Sequence, residues 1–278
     1  MSGLIRFDNI SFGYEAGKQA IKNVSLSVER GEFIAIIGGN GSGKTTLAKH
    51  CNGLYKPTSG TVTVKGRDTR ELSVAELSRI VTYCYQNPDH QIFQSTVFEE
   101  VAFGPKNMGL PQAEVEKRVT EALRAVGLEH MRTAEPYFSS KGTRQKIAVA
   151  SILAMKPEAI VLDEPTTGLD YRGVREIMQL LQKLHRDGHT IIVVTHDMKL
   201  VAEYALRVLV MHQGTLLRDG TPGEVFACSD VLQKAQVEAP SVYRFGVAAG
   251  WNEPVPLTLE QAKARVAEER IPYETRTP

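Results

Sequence analysis

The sequence is poor in cysteine, in aromatic residues and in surplus charge of either sign. Its three cysteines, Cys51, Cys84 and Cys228, are scattered and show no CxxC spacing. That pattern excludes a disulfide framework and a cysteine-built zinc site, and leaves idle thiols in a reducing compartment. Lys and Arg number 33 against 32 Asp and Glu, a formal net charge of +1. So even a balance lacks the basic footprint that holds DNA or RNA, and no nucleic-acid partner is expected. No stretch approaches the roughly 18 to 20 apolar residues that span a bilayer. The best runs, Phe33 to Ile37, Ile191 to Val194 and Val208 to Met211, have the length of buried strands. The opening Met1-Ser2-Gly3-Leu4-Ile5-Arg6 holds no apolar signal core. A membrane role must therefore come from docking onto a membrane partner.

What is present is enough for a sizeable core. Hydrophobic residues make up 42% and charged residues 23% of 278 residues, which suits one large α/β domain with an appendage, or two modest domains. Leu4 to Phe7, Val24 to Val28, Phe33 to Ile37 and Gly60 to Lys65 read as short strands, cut by Gly13, Gly17 and Gly31. Ser73 with Glu76 fits a capping box, in which each side chain satisfies the other residue's free N–H. Val115, Val119, Leu123 and Val126 repeat at helical spacing up to Gly127. From Ala159 strands and helices alternate: a strand to Leu162, a helix over 171–186, a strand Thr190 to Thr195, a helix over 198–205 and a strand Arg207 to Met211. That order implies a parallel sheet covered on both faces. Thr221-Pro222-Gly223-Glu224 opens another helix. Beyond about 235 prolines punctuate short pieces, and Thr258 with Gln261 caps a last helix over about 259–269. The expected division is 1–235 as the main domain and 236–278 as a small C-terminal extension.

Gly38-Gly39-Asn40-Gly41-Ser42-Gly43-Lys44-Thr45 fits GxxxxGK(S/T), placed after an apolar strand and before the helical stretch Thr46 to Cys51. Its glycines let several backbone N–H groups converge on one phosphate. Lys44 is expected to reach the β- and γ-phosphates of ATP, and the Thr45 hydroxyl to ligate Mg²⁺. The loop alone does not separate kinases, GTPases and motors. Downstream, Ala159-Ile160-Val161-Leu162 ends in Asp163-Glu164, and a buried strand seldom ends in two carboxylates without a cation to meet. Asp163 is expected to hold Mg²⁺ and Glu164 to polarise the attacking water as general base. His196 follows the next strand, where a γ-phosphate sensor belongs. It is expected to hydrogen-bond the phosphate or the water and not to bind metal.

With these residues in view, the chain resembles the ATP-binding cassette (ABC) family over about 1–235. Asp163-Glu164-Pro165-Thr166-Thr167-Gly168-Leu169-Asp170 is similar to its Walker B strand and D-loop, and His196 to its switch histidine. Gln86 resembles the Q-loop glutamine, a catalytic and Mg²⁺-facing position. Tyr14 resembles the aromatic that stacks on adenine, and Thr46 completes the phosphate site. The family's LSGGQ signature falls at Ser139-Ser140-Lys141-Gly142-Thr143. Ser140 and Gly142 match, and they are implied to reach a partner subunit's nucleotide in trans; Ser139, Lys141 and Thr143 depart. The resemblance implies a P-loop NTPase with a RecA-like parallel core, an N-terminal antiparallel β-subdomain, a helical subdomain at about 88–157 and the small extension.

A narrower resemblance is to energy-coupling factor and cobalt-type importer ATPases. It rests on Tyr85-Gln86-Asn87-Pro88-Asp89-His90-Gln91-Ile92-Phe93, Thr96-Val97-Phe98 and Val101-Ala102-Phe103-Gly104-Pro105. It implies a groove for a coupling helix, with Asp89 pairing a basic residue and Ile92, Phe93 and Phe98 giving apolar contact. It also implies a second ATPase subunit as partner, in a homodimer or heterodimer paired with help from the C-terminal extension. A transmembrane coupling subunit, a substrate-binding membrane subunit, and a peripheral place on the cytoplasmic face of the cell membrane complete what it implies. Two other readings stand beside it: an ABC ATPase unconnected with transport, and a nucleotide-binding partner with reduced hydrolysis. The pairing of Glu164 with His196 argues against a P-loop kinase.

Overall fold

The computed structural model describes residues 3–15 and 17–268. The chain runs through β1 (Ile5–Glu15), β2 (Lys18–Val28), β3 (Phe33–Ile37), α1 (Lys44–His50), β4 (Ser59–Val64), β5 (Arg67–Asp68), α2 (Val74–Leu77) and β6 (Val81–Cys84). Then come α3 (Val97–Asn107), α4 (Gln112–Ala125), α5 (Lys141–Leu153), β7 (Ala159–Asp163), α6 (Tyr171–Arg186), β8 (Thr190–Val194) and α7 (Met198–Tyr204). The chain closes through β9 (Arg207–His212), β10 (Thr215–Gly220), α8 (Pro222–Phe226), α9 (Ser229–Ala235), α10 (Ser241–Ala248) and α11 (Leu259–Glu268).

Two sheets result. The first has the order β2-β1-β4-β5 and is antiparallel throughout. Its first two strands are longer than the sequence suggested. Gly13 lies inside β1 rather than ending it, because the strand takes up irregularity as register shifts between Phe7 and Glu15. The second sheet has the order β10-β9-β3-β8-β7-β6, parallel from β9 to β6. Its antiparallel edge strand β10 was not foreseen; Arg218 and Asp219 make it too polar to read as a strand.

The parallel strands are buried on both faces, which is why they read as unbroken apolar runs. Phe33, Cys84, Ile160, Leu162, Ile191 and Val193 pack towards α3–α6. Ile34, Ile36, Val81, Val161, Ile192 and Val194 pack towards α1 and the antiparallel sheet. A third cluster joins Ala35, Ile37, Val208 and Val210 to α7, α8 and α9, and Tyr243 and Leu257 of the later segment lie against it. Truncating a side chain such as Leu162 to alanine costs about 2–5 kcal/mol.

Helix ends follow their capping chemistry. Ser73–Glu76 and Thr221–Glu224 both form complete capping boxes. Thr96, Ser140, Asp170 and Asp197 each accept a backbone N–H at the start of α3, α5, α6 and α7. Pro105 sits in the last turns of α3. The last helix, expected to reach 269, is described to Glu268.

Burial pushes the thiols of Cys51 and Cys84 up to about 12, whereas Cys228 is half-buried. Since the thiolate is the reactive form, maleimide should label Cys228 alone in the native protein and all three cysteines in denaturant. Peptide mass spectrometry checks this, and native labelling of Cys84 would contradict the closed core around β6.

Candidate functional site

The parallel order brings four loops to one edge of the sheet. The phosphate loop leaves β3, Gln86 stands just beyond β6, Asp163 and Glu164 end β7, and His196 follows β8. Ligands of open α/β sheets bind at this carboxyl edge.

The phosphate loop is held from behind by backbone. Gly38 has φ +143°, and a β-carbon there would stand 2.1 Å from the Met211 carbonyl oxygen and 2.8 Å from Ser42 Oγ. Gly39 N–H donates to Ala235 O at 2.9 Å, and Gly214 N–H donates to Ser42 O at 2.9 Å. Lys44 Nζ donates to Gly38 O (2.8 Å) and Gly39 O (2.9 Å). Burial lowers its pKa below the ordinary lysine value, and the carboxylates of Glu164 and Asp163 oppose that shift. α1 begins without a side-chain cap, so its first N–H groups are left for a ligand. Among the described residues the buried Ser42 Oγ has no hydrogen-bond partner. A loop with an orphaned hydroxyl, free amides, a lysine and no room for a side chain at Gly38 fits a phosphate chain.

Asp163 is buried, and both of its oxygens are engaged. Thr45 Oγ1 donates to Oδ1 at 3.2 Å and Tyr83 Oη donates to Oδ2 at 2.7 Å. Burial and the nearby carboxylate push the Tyr83 phenol far above its ordinary pKa, so it keeps its proton and donates. Thr45 and Asp163 form a hard, all-oxygen donor set of the kind Mg²⁺ takes. Among the described residues no three His, Cys, Asp or Glu side chains gather to hold a metal unaided. Mg²⁺ asks for less, because waters and substrate phosphates complete its shell.

Glu164 occupies the left-handed region at φ +48°, a conformation costly for a residue with a β-carbon. Its N–H is fixed by Val194 O at 2.9 Å. The twist turns the side chain towards His196, whose Nδ1 lies 2.8 Å from the carboxylate, while Thr167 Oγ1 donates to it at 3.2 Å. The His196 side chain is 71% exposed and that of Glu164 12% exposed. A sheltered carboxylate thus meets a solvent-facing imidazole, an arrangement suited to activating water.

Tyr14 is 57% exposed, and its hydroxyl bonds Thr46 Oγ1 at 2.7 Å, which leaves ring surface for a base. Gln86 is exposed. Ser140 caps α5 and accepts from Thr143 N–H at 3.1 Å. Ser140, Lys141 and Gly142 line a cavity of about 540 Å³ with Gly168, Leu169 and Asp170, and no phosphate-loop residue borders it. Within one chain the signature segment and the phosphate loop are thus not brought together.

The proposed groove differs from expectation in two respects. Asp89 is already paired, its Oδ1 2.7 Å from Arg144 Nε, because α5 packs beside the turn that carries it. Ile92 is 2% exposed and belongs to the core; the accessible apolar pair is Phe93 with Phe103, edge to face at 4.8 Å. Tyr83, Thr167 and Arg144 escaped sequence reasoning. For Tyr83 a signal existed, since a tyrosine in a buried strand needs a partner for its hydroxyl.

Fold and site together define a P-loop nucleotide hydrolase. The chain belongs to the ABC transporter family, whose profile matches residues 21–167, and it carries that family's ATP-hydrolysing domain. It is 46% identical over 241 residues to the energy-coupling factor transporter ATP-binding protein EcfA of Methanocaldococcus jannaschii, covering 86% of each chain. It is 48% identical over 239 residues to a provisionally named ABC transporter ATP-binding protein of Caldanaerobacter subterraneus subsp. tengcongensis. The match covers 86% of this chain but only 42% of that longer protein. Among solved structures, cbiO1 of Clostridium perfringens, described as part of the ABC transporter complex cbiONQ, superposes with TM-score 0.77 at 36% identity, over 90% of this chain and 100% of that one. A dimeric ATP-binding cassette, MJ0796, solved in a post-hydrolysis state with ADP and Pi, gives 0.70 at 32% identity, over 78% and 98%.

Replacing Gly38 with alanine should strain the loop by about 1–3 kcal/mol. ATP binding measured by calorimetry should then weaken roughly tenfold or more, tenfold being ~1.4 kcal/mol. Unaltered affinity would show that this loop is not what grips the phosphates.

Proposed function

We propose that this chain is the ATP-hydrolysing motor subunit of an energy-coupling factor type importer. It works at the cytoplasmic face of the membrane, driving uptake of a vitamin or transition-metal ion through membrane partner subunits. The observation that carries the hydrolytic part is the Glu164–His196 pair at the sheet edge that also presents Lys44, Thr45 and Asp163. The importer part is supported by the likeness to EcfA and to cbiO1, and by the exposed Phe93–Phe103 pair, which suits an apolar helix face.

ATP stacks its base on Tyr14 and lays its phosphates along residues 38–46. Lys44 exchanges its two loop carbonyls for phosphate oxygens. Thr45 and Asp163, with Gln86 alongside, would hold Mg²⁺, which when bound would supply charge neutralisation at the phosphates. Glu164 accepts a proton from the attacking water as general base. His196 holds that carboxylate in place and faces the γ-phosphate. Ser140 and Gly142 serve the nucleotide of a second ATPase subunit, a reading supported by their separation from this chain's own loop and by the dimeric relative. The segment from 236 onward helps the pair stay together.

One observation favours reduced hydrolysis at the site this signature completes. A β-carbon on Gly168 would stand 2.6 Å from Lys141 Nζ, so the lysine lies across the D-loop where the family has a bare glycine. If it obstructs closure, Lys141→Gly should raise the turnover of the assembled pair. A fall would assign the ammonium a supporting role at the phosphate.

Glu164→Gln should lower ATP hydrolysis by about 10²–10⁴-fold, the usual contribution of a positioned general base, while ATP binding persists. An undiminished rate would remove Glu164 from that role. Affinity purification from membranes should recover a transmembrane subunit with the chain; repeated recovery without one would favour an ATPase unconnected with transport.

A further inference from the structure

Tyr83 is a buried phenol on β6, the strand hydrogen-bonded to β7, with Tyr83 in register with Val161. That register places its hydroxyl against the end of β7, where it donates to Asp163 Oδ2 at 2.7 Å. The Tyr85 ring meets the Tyr83 ring edge to face at 5.2 Å and hems in its position. Asp163 is consequently gripped from two sides: by the first residues of α1 through Thr45 on Oδ1, and by the neighbouring strand through Tyr83 on Oδ2. A carboxylate bound at one oxygen can rotate about its Cβ–Cγ bond. Bound at both, it presents a fixed lone pair.

We propose that Tyr83 is a positioning residue for the divalent cation. It anchors Oδ2 of Asp163, so that Oδ1 stays beside the Thr45 hydroxyl at the place where the cation's inner or water-mediated shell must form. This inference rests on the reading that Thr45 and Asp163 serve Mg²⁺, and it assigns to β6 a task apart from carrying Gln86.

The test is ATP binding by the purified full-length chain, measured by calorimetry across a Mg²⁺ titration and again in EDTA. In Tyr83→Phe the ring remains and only the hydroxyl is lost. The Mg²⁺ concentration for half-maximal tightening should rise about tenfold, the scale of one hydrogen bond to a charged group. Affinity in EDTA should stay unchanged. Equal weakening with and without Mg²⁺ would make Tyr83 merely structural and overturn the proposal. Asp163→Asn, alone and combined with Tyr83→Phe, separates the two levels of inference. If Asp163→Asn keeps full Mg²⁺ dependence, the cation reading itself fails. If it loses that dependence while Tyr83→Phe keeps it, only the role of Tyr83 fails. Support requires that Tyr83→Phe has no added effect on the Mg²⁺ dependence once Asp163 is gone.

Discussion

The site depends on a backbone turn that leaves no space behind it. A phosphate chain is held mainly by amide N–H groups pointing inward, and amides point reliably only where the peptide planes cannot rotate. Here the planes are pinned from the rear: the Met211 carbonyl crowds Gly38, Ala235 takes the N–H of Gly39, and Gly214 donates to Ser42. These contacts come from β9, from the turn after it and from the end of α9, which lie far from the loop in sequence. The burial of the parallel strands of the second sheet serves to hold that arrangement steady.

Against this positive cradle stand two adjacent carboxylates whose surroundings give them different work. Asp163 is the last residue of a buried strand, satisfied at both oxygens, and has little freedom. Glu164 is one residue on, and its left-handed backbone turns it away from the strand direction towards His196 and Thr167. A strand alternates its side chains, so two neighbours cannot ordinarily serve one crevice from the same face. The positive φ of Glu164 redirects the second carboxylate, and the strain it stores is held by the hydrogen bond from its N–H to Val194.

Much of this was legible in the amino-acid order because the relevant interactions are local. The glycine-rich loop, both capping boxes, the apolar strands and the helix over 171–186 announce themselves by composition and period. The misses at the site share a cause, namely contacts between residues distant in sequence. Asp89 looked free for a partner because nothing nearby shows that Arg144 arrives from α5. Ile92 looked available because burial is a property of the packed helices and not of its turn. Tyr83 was not singled out because its bond to Asp163 joins positions eighty apart. Strand β10 was hidden for a different reason: an edge strand facing solvent can be polar, so it carries no hydrophobic period.

The carbonyl of Ala235, which holds Gly39, is also where α9 ends. The next residue, Gln236, adopts a left-handed conformation with its side chain beside the loop. The junction leading to α10 is thus not a neutral spacer. A residue inserted or removed there would shift the carbonyl under the nucleotide's own cradle. For anyone splicing, tagging or trimming this protein, the seam that looks most convenient in the sequence is therefore among the least permissive in the fold.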